Sequence, residues 1–172
     1  MAATVEISES NTVSETVTNG ITNVNFGSAD APNLNNVANP IVAGGNSYEK
    51  WLRFHLIALA GSNQVDNFKV WISDLGLGLK QGESFKTSLK SQQYVAPSFQ
   101  TPVNTVSVVA VEDMPLSEPT IGNNVGIGGS LMGTIDSDDQ YSDYFVIQLQ
   151  TTAQTPSGNL NQKVITFQYD EQ

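Results

Sequence analysis

The sequence contains no cysteine and a single histidine, His55, and both shortages limit its chemistry. Without cysteine the chain can form no disulfide, thiol nucleophile, zinc finger or iron–sulfur cluster. One histidine makes a zinc hydrolase very hard to build, and it leaves a Ser-His-Asp arrangement with only one candidate base. His55 sits between Arg53 and Ile57 on an amphipathic run, which favours a packed sheet histidine. We therefore predict no enzymatic activity, no metal site and no cofactor.

Basic residues are also scarce. Seven lysines and arginines stand against seventeen acids, which gives a formal net charge of −10. Nucleic acids and anionic membrane surfaces both attract basic proteins, so we expect neither as a partner. The first base is Lys50, and the longest apolar stretch, 56–60, is far shorter than the roughly 20 residues of a spanning helix. The simplest expectation is a soluble protein that never enters a secretory pathway.

The charges are spread unevenly along the chain. Residues 1–49 hold five acids and no base, 50–90 hold six of the seven bases, and 91–172 hold nine acids and only Lys163. Such asymmetry can orient a protein on a partner or on its own copies. The alternative is that strands from all three segments interleave in the fold, which would average the charges.

Short apolar runs with period two, separated by turn residues, dominate the sequence. This alternation marks half-buried strands, and several such runs with little helix indicate an all-β fold, an antiparallel β-sandwich or barrel. A chain of 172 residues suits a single core. The predicted strands lie at about residues 51–58, 67–73, 106–110, 144–150 and 165–169.

One of these runs is ambiguous. Residues 46–60 also fit a helix that Asn46 would cap and Gly61 would terminate. We favour a strand, because a helix would place large apolar side chains on its far side as well. The strand is then apolar on both faces, which predicts either a central position in the fold or contact with another subunit.

The N-terminal quarter of the chain differs from the rest. Residues 1–48 are rich in Asn, Thr, Ser and Ala, with spaced Val and Ile, and contain no base. We expect either an extended arm that orders on a partner or edge strands followed by a long loop. The predicted organisation is therefore an N-terminal arm or edge-strand segment at 1–43 and a β-sandwich domain at 44–172.

Two polar segments match known ligand-binding patterns only in part. The Asp-rich segment 136–143 offers oxygen ligands for a hard cation, but the calcium-loop positions for Gly and Glu hold Tyr141 and Ile147. We expect a solvated acidic turn. The glycines of 122–133 lack a nearby lysine and a strand–loop–helix context, so we interpret them as turns and close backbone approaches.

The two tryptophans are the remaining candidates for ligand contact. We expect Trp51 and Trp71 on the outer faces of adjacent strands. There they would form a sugar-stacking platform, or they would fill a second sheet or a subunit interface. The second interpretation is favoured.

Six short blocks resemble segments of a known group of proteins, namely residues 45–53, 67–71, 117–120, 126–129, 142–148 and 167–171. Along 44–172 they resemble virion structural proteins of tailed bacteriophages, whereas 1–43 carry no such likeness. The resemblance implies a jelly-roll-like β-sandwich that serves as a capsid decoration, or cement, protein. It implies the major capsid protein as partner and a homo-oligomer such as a trimer. The location would be the capsid surface of a virion assembled in the host cytoplasm.

Under this resemblance the residues of interest are interface candidates rather than catalysts. A cement protein needs a stable β core, edges or an arm for strand addition, and many equivalent contacts that add up. Two alternatives stay open: a neck, tail or fibre component of the virion, and a β-sandwich carbohydrate-binding module that uses the tryptophans. The interface candidates are Val5, Ile7, Val13, Val17, Trp51, Arg53 and Trp71.

Overall fold

A computed structural model describes residues 2–90, 93–105, 107–120, 122–158 and 162–172. Within these ranges the protein is all-β, and no helix is present that has the length and apolar character to cross a membrane. The strands of the described chain are β1 (Thr4–Asn11), β2 (Thr16–Thr18), β3 (Lys50–Ala58), β4 (Val65–Asp74), β5 (Ser84–Thr87), β6 (Glu112–Asp113), β7 (Gln140–Tyr141), β8 (Phe145–Gln150) and β9 (Val164–Glu171). The strand prediction is therefore confirmed for β3, β4, β8 and β9.

The strands form two antiparallel sheets. The large sheet has the order β2-β1-β3-β8-β5-β6, and β7 adds a short pairing to β3. The small sheet consists of β4 and β9. Neighbouring strands β1, β3 and β8 come from the acidic, the basic and the second acidic segment of the sequence. The interleaving alternative is thus confirmed for the strands of the large sheet.

The main core lies between the two sheets, and the alternating pattern supplies it. Leu52, Phe54 and Leu56 point inward from β3 and are at most 1% exposed. Phe54 is central: its ring centroid lies 4.7 Å from that of Phe68 on β4 and 6.0 Å from that of Phe167 on β9. Period two in these strands therefore reports burial against the opposite sheet.

A second, smaller apolar cluster covers the outer face of the large sheet. Trp51 is fully buried there, with its ring edge-on to Phe99 at 5.3 Å and to Tyr144 at 5.6 Å. Val146 and Ala110 complete the cluster. β3 is thus a central strand covered on both faces, as its two-sided apolar pattern predicted.

The strand predicted at 106–110 is wrong for its described residues. Residues 107–110 are irregular, with Val108 77% exposed and Ala110 buried against Trp51. The Ser107 hydroxyl accepts the backbone N–H groups of Val109 and Ala110. Local bonding of this kind competes with strand pairing, which is why the apolar alternation misled the prediction. Residue 106 lies outside the described residues.

Of the two alternatives for the start of the chain, the structure shows strands and not an extended arm. β1 pairs with β3 from Thr4↔Ala58 to Ser10↔Trp51, so it lies inside the large sheet, and of the first two strands β2 alone is at an edge. The segment between β2 and β3 is irregular, but Leu34 is only 4% exposed. Sparse apolar residues suggested an arm. In β1 the polar side chains of Glu9 and Asn11 instead occupy inward positions, where each forms hydrogen bonds.

Candidate functional site

The outer face of the large sheet carries a row of cationic and aromatic side chains next to Trp51. Arg53 and His55 follow Trp51 at every second position of β3, so all three side chains share that face. Pairing with β7 brings Tyr141 beside them, and pairing with β8 brings in Tyr144, the residue just before that strand. We call Arg53, His55, Tyr141 and Tyr144 the outer-face cluster.

Arg53 is clamped between two phenol rings. Its guanidinium carbon lies 4.3 Å from the ring centroid of Tyr141 and 4.3 Å from that of Tyr144. Stacking of this kind orients the planar group and contributes about 0.5–2 kcal/mol. The side chain is half-buried, and no described residue forms an ion pair or hydrogen bond with its guanidinium. The N–H donors of a fixed cation are therefore available to an anionic group of another molecule.

Tyr144 is itself held by two hydrogen bonds. Its hydroxyl donates to a carboxylate oxygen of Glu15 at 2.6 Å and shares a 2.7 Å hydrogen bond with Ser10. Burial and then the hydrogen bond to Glu15 raise the pKa of Tyr144 to about 12, although Ser10 and the positive charge of Arg53 act in the opposite direction. The phenol thus stays protonated at neutral pH and fixes one wall of the Arg53 clamp.

Both ring nitrogens of His55 are occupied by carboxylates. Nδ1 lies 2.7 Å from Oε1 of Glu6, and Nε2 lies 2.8 Å from Oδ1 of Asp139. An ionised carboxylate only accepts hydrogen bonds, so each ring nitrogen that carries a proton can donate to its own carboxylate. A buried imidazole committed on both sides is a structural element of the sheet. The prediction of a packed sheet histidine is confirmed.

A second polar cluster is buried on the inner face of the large sheet, where β3 begins. The Lys50 ammonium donates to Oε1 of Glu9 and to the Ala31 carbonyl, both at 2.7 Å. Asn11 Nδ2 donates to the same Oε1 at 2.8 Å and to Oδ1 of Asp30 at 2.6 Å. Burial raises the pKa of Glu9, while the charge of Lys50 lowers it. We call Lys50, Glu9 and Asn11 the buried triad.

The acidic residues of 136–143 contact different partners and do not converge on one site. Asp138 accepts the backbone N–H of Leu59, and Asp139 contacts His55. Asp143 accepts the hydroxyl of Tyr94. These contacts tie the acidic turn to the rest of the fold, and no group of three His, Cys, Asp or Glu residues that could hold a metal is found in the described part of the chain.

The predicted interface residues of β1 and β2 occupy different environments. Val13 is 80% exposed at the turn between the two strands, and Val17 is 40% exposed on β2. Val5 and Ile7 are half-buried and pack against the main core. Only the first pair is open to contact with another molecule in the isolated chain.

The tryptophans do not lie together as predicted. Trp51 is on β3 in the large sheet, and Trp71 is on β4 in the small sheet, so their strands are not hydrogen-bonded neighbours. The expectation of adjacent strands is wrong because β1 occupies the place beside β3 that β4 was assumed to fill. Trp51 is 0% accessible, so it contacts neither solvent nor a ligand, and Trp71 is 9% accessible. The buried interpretation is thus the correct one for Trp51.

The sequence indicated Arg53 but missed its two tyrosines and the buried triad. Tyr141 and Tyr144 approach Arg53 through strand pairings across about 90 residues, which no local pattern reveals. The triad had a usable signal. Glu9 and Asn11 continue the period-two series that Val5 and Ile7 begin, and polar residues at inward positions call for buried partners.

Comparison with protein-family models, with curated proteins and with solved structures finds no match to this chain.

Proposed function

We propose that this chain is a non-enzymatic virion structural protein of a tailed bacteriophage, a decoration protein that binds the outside of the capsid and stabilises contacts between major capsid proteins. The observation that carries the proposal is the state of Arg53, a cation fixed between two tyrosines and without an anionic partner among the residues that the structure describes. Arginine and tyrosine are enriched among the residues that dominate protein–protein binding energy. The sequence blocks along 44–172 supply the phage context.

The surroundings of Arg53 favour a single carboxylate as the group that it binds. A guanidinium fork matches a carboxylate with two parallel hydrogen bonds. Glu6, Glu15 and Asp139 surround the cluster and are engaged with His55 or Tyr144. Their charge would oppose a phosphate-rich polymer, so an acidic side chain of a capsid protein is the better partner.

The fold suits attachment to the capsid through a sheet face and through the tips of its loops. We propose that the two packed sheets form a jelly-roll-like β-sandwich and that the protein acts as a homo-oligomer, such as a trimer, at many equivalent sites. β1 is held inside the sheet by its register with β3, so it is not free to extend as an arm. Val13, 80% exposed at the β1–β2 turn, is a candidate for a peripheral contact.

The test uses heads of the phage that encodes this chain, prepared without it and mixed with the purified full chain. Cryo-microscopy is expected to show regular added density at fixed symmetry positions, with the outer-face cluster against the capsid. Arg53→Ala should weaken binding by about 30-fold, the effect of losing about 2 kcal/mol at a central arginine. Arg53→Lys should recover little of it, because lysine lacks the planar fork.

Lys86→Ala is the matched control. Lys86 is a cation of the same sheet, but its ammonium already pairs with Asp113 at 2.6 Å, so its removal should leave head binding unchanged. Bare heads with the protein left in solution would overturn the decoration proposal, and binding to purified tails would then support the neck, tail or fibre alternative. The carbohydrate-binding alternative loses its platform because Trp51 is fully buried.

A further inference from the structure

The buried triad takes no part in the proposed docking, and its composition suits a covalent reaction. We propose that Nζ of Lys50 attacks the side-chain carboxamide of Asn11 and forms an isopeptide bond that cross-links β3 to β1, with Glu9 as the proton shuttle. This inference does not depend on the function proposed above, because it rests on the triad and its neighbours alone.

The strand register places the two reacting residues opposite each other. Ser10 pairs with Trp51, so the next position along brings Asn11 beside Lys50 on the inner face of the sheet. Nδ2 of Asn11 and Nζ of Lys50 donate to the same oxygen, Oε1 of Glu9, at 2.8 and 2.7 Å. The shared carboxylate oxygen therefore holds the amine and the carboxamide beside each other, which lowers the entropy cost of bringing them together.

Water is excluded from the triad. Lys50, Glu9 and Asn11 are 1%, 0% and 3% exposed. Two acceptor atoms, Oε2 of Glu9 and Oδ1 of Asn11, are buried without a hydrogen-bond partner. Unpaired buried acceptors cost about 1–3 kcal/mol each and call for an explanation. The proposed reaction supplies one: in it Glu9 carries a proton, and a carboxylic acid is a donor of the kind that the unpaired Oδ1 lacks.

Burial also favours the protonated form of Glu9, which the reaction needs. The proposed reaction begins with a proton transfer from Lys50 to Glu9, and burial penalises the ionised carboxylate that accepts this proton. Burial raises the pKa of Glu9, which agrees with its acting as the acceptor of that proton. The products of the transfer are a neutral amine, which is the nucleophile, and a carboxylic acid, which is the general acid.

The bond changes balance without any co-reactant. As Nζ bonds to Cγ of Asn11, Glu9 protonates Oδ1 and takes a proton from Nζ. Glu9 then protonates Nδ2 and recovers the proton of Oδ1 while the Cγ–Nδ2 bond breaks. The products are one amide between Lys50 and Asn11 and one molecule of ammonia, so the chain loses about 17 Da and nothing is oxidised or reduced.

Two neighbours complete the arrangement. Oδ1 of Asp30 accepts Nδ2 of Asn11 at 2.6 Å, which holds the leaving nitrogen. The Ala31 carbonyl accepts Nζ of Lys50 at 2.7 Å, which fixes the direction of the attacking amine. The segment between β2 and β3 therefore covers the triad and positions both nitrogens through Asp30 and Ala31.

The intact mass of the purified full chain tests the proposal directly, with an expected loss of about 17 Da relative to the sequence. Trypsin locates the change, because Lys50 is the first base of the chain. An unlinked chain gives the fragment 1–50. A linked Lys50 resists cleavage, so the expected fragment is 1–53 with one ammonia missing.

A glutamate-specific protease then identifies the bond. It cuts after Glu15 and Glu49, which separates Asn11 from Lys50 unless an isopeptide joins the two peptides. Wild-type protein at its full sequence mass would overturn the proposal. So would a loss of ammonia confined to the peptide with Asn11, since a succinimide at that residue would explain it.

Variants assign the roles. Glu9→Gln keeps the shape of the side chain but cannot shuttle the proton, so we expect full mass and the 1–50 fragment. Asn11→Ser and Lys50→Met should abolish the loss as well. Lys86→Met, at an exposed ion pair, should retain it. Persistence of the cross-link in Asn11→Ser would overturn the assignment. Should a variant fail to fold, the wild-type mass still decides the question.

Discussion

The imidazole of His55 lies parallel to the phenol ring of Tyr141, with centroids 4.2 Å apart and planes inclined by 8°. The same phenol ring lies 4.3 Å from the guanidinium carbon of Arg53. Tyr141 therefore joins the structural half of the outer-face cluster, which His55 anchors through two carboxylates, to the half that is open to a partner. A substitution of Tyr141 should therefore affect both the packing of His55 and the orientation of Arg53.

Tyr141→Ala is expected to weaken head binding, because Arg53 loses one wall of its clamp. A lost cation–π contact of about 0.5–2 kcal/mol corresponds to about 2- to 30-fold in affinity. Tyr141→Phe keeps the ring and loses only the hydroxyl contact with Asn19, so its affinity should stay near that of the wild type. Equal losses in the two variants would show that the hydroxyl, not the ring, supports Arg53.

His55→Gln should destabilise the fold by about 1.5–3 kcal/mol, because hydrogen bonds to charged groups are lost inside the sheet. Asp139→Asn should cost less than about 1 kcal/mol, since the Asp139 side chain is 85% exposed and solvent screens its contact with His55. Urea unfolding of the two variants measures both effects. The reverse order of losses would contradict the structural role given to His55.

Tyr144 makes the fold sensitive to alkali. Its pKa is raised to about 12 in the folded chain, mainly by burial, so the folded state holds this proton more tightly than the unfolded state. The resulting stability is fully present below the unfolded pKa of about 10 and is lost as pH rises through about 12. Tyr144→Phe should lose stability less steeply over this range. Unfolding midpoints at several alkaline pH values, with phenolate absorbance as a second reading, provide the measurement.

Two leucines test where the core ends. Leu56 is 0% exposed on β3, and Leu77 is 94% exposed in the loop between β4 and β5. Leu56→Ala should cost about 2–5 kcal/mol through lost burial and a cavity. Leu77→Ala, the same chemical change at the surface, should stay within about 0.5 kcal/mol of the wild type. Similar losses at both sites, measured by denaturant unfolding, would mean that Leu77 is covered in solution.

The local sequence pattern was sufficient to predict the long strands, but it was insufficient to predict which strands pair with each other. Phe54 and Phe145 lie at inward positions that period two identifies, because burial on one face leaves a mark in every second residue. The pairing of β3 with β8 joins parts of the chain far apart in sequence, so the contact of Arg53 with Tyr144 left no local trace. For the start of the chain the pattern leaves an arm and edge strands as alternatives, because buried polar residues of β1 stand at positions where strands usually carry apolar ones.

The two sheets differ in how well their borders are protected. The large sheet ends in β2 and β6, which are three and two residues long and offer few free backbone groups. β9 has eight residues and, in the described part of the chain, pairs only with β4. A long exposed edge strand can pair with the same strand of another molecule and so promote aggregation, which the charges of Asp170 and Glu171 oppose. Concentrated stocks should therefore stay clear at low ionic strength and turn turbid first where salt or acid removes that repulsion.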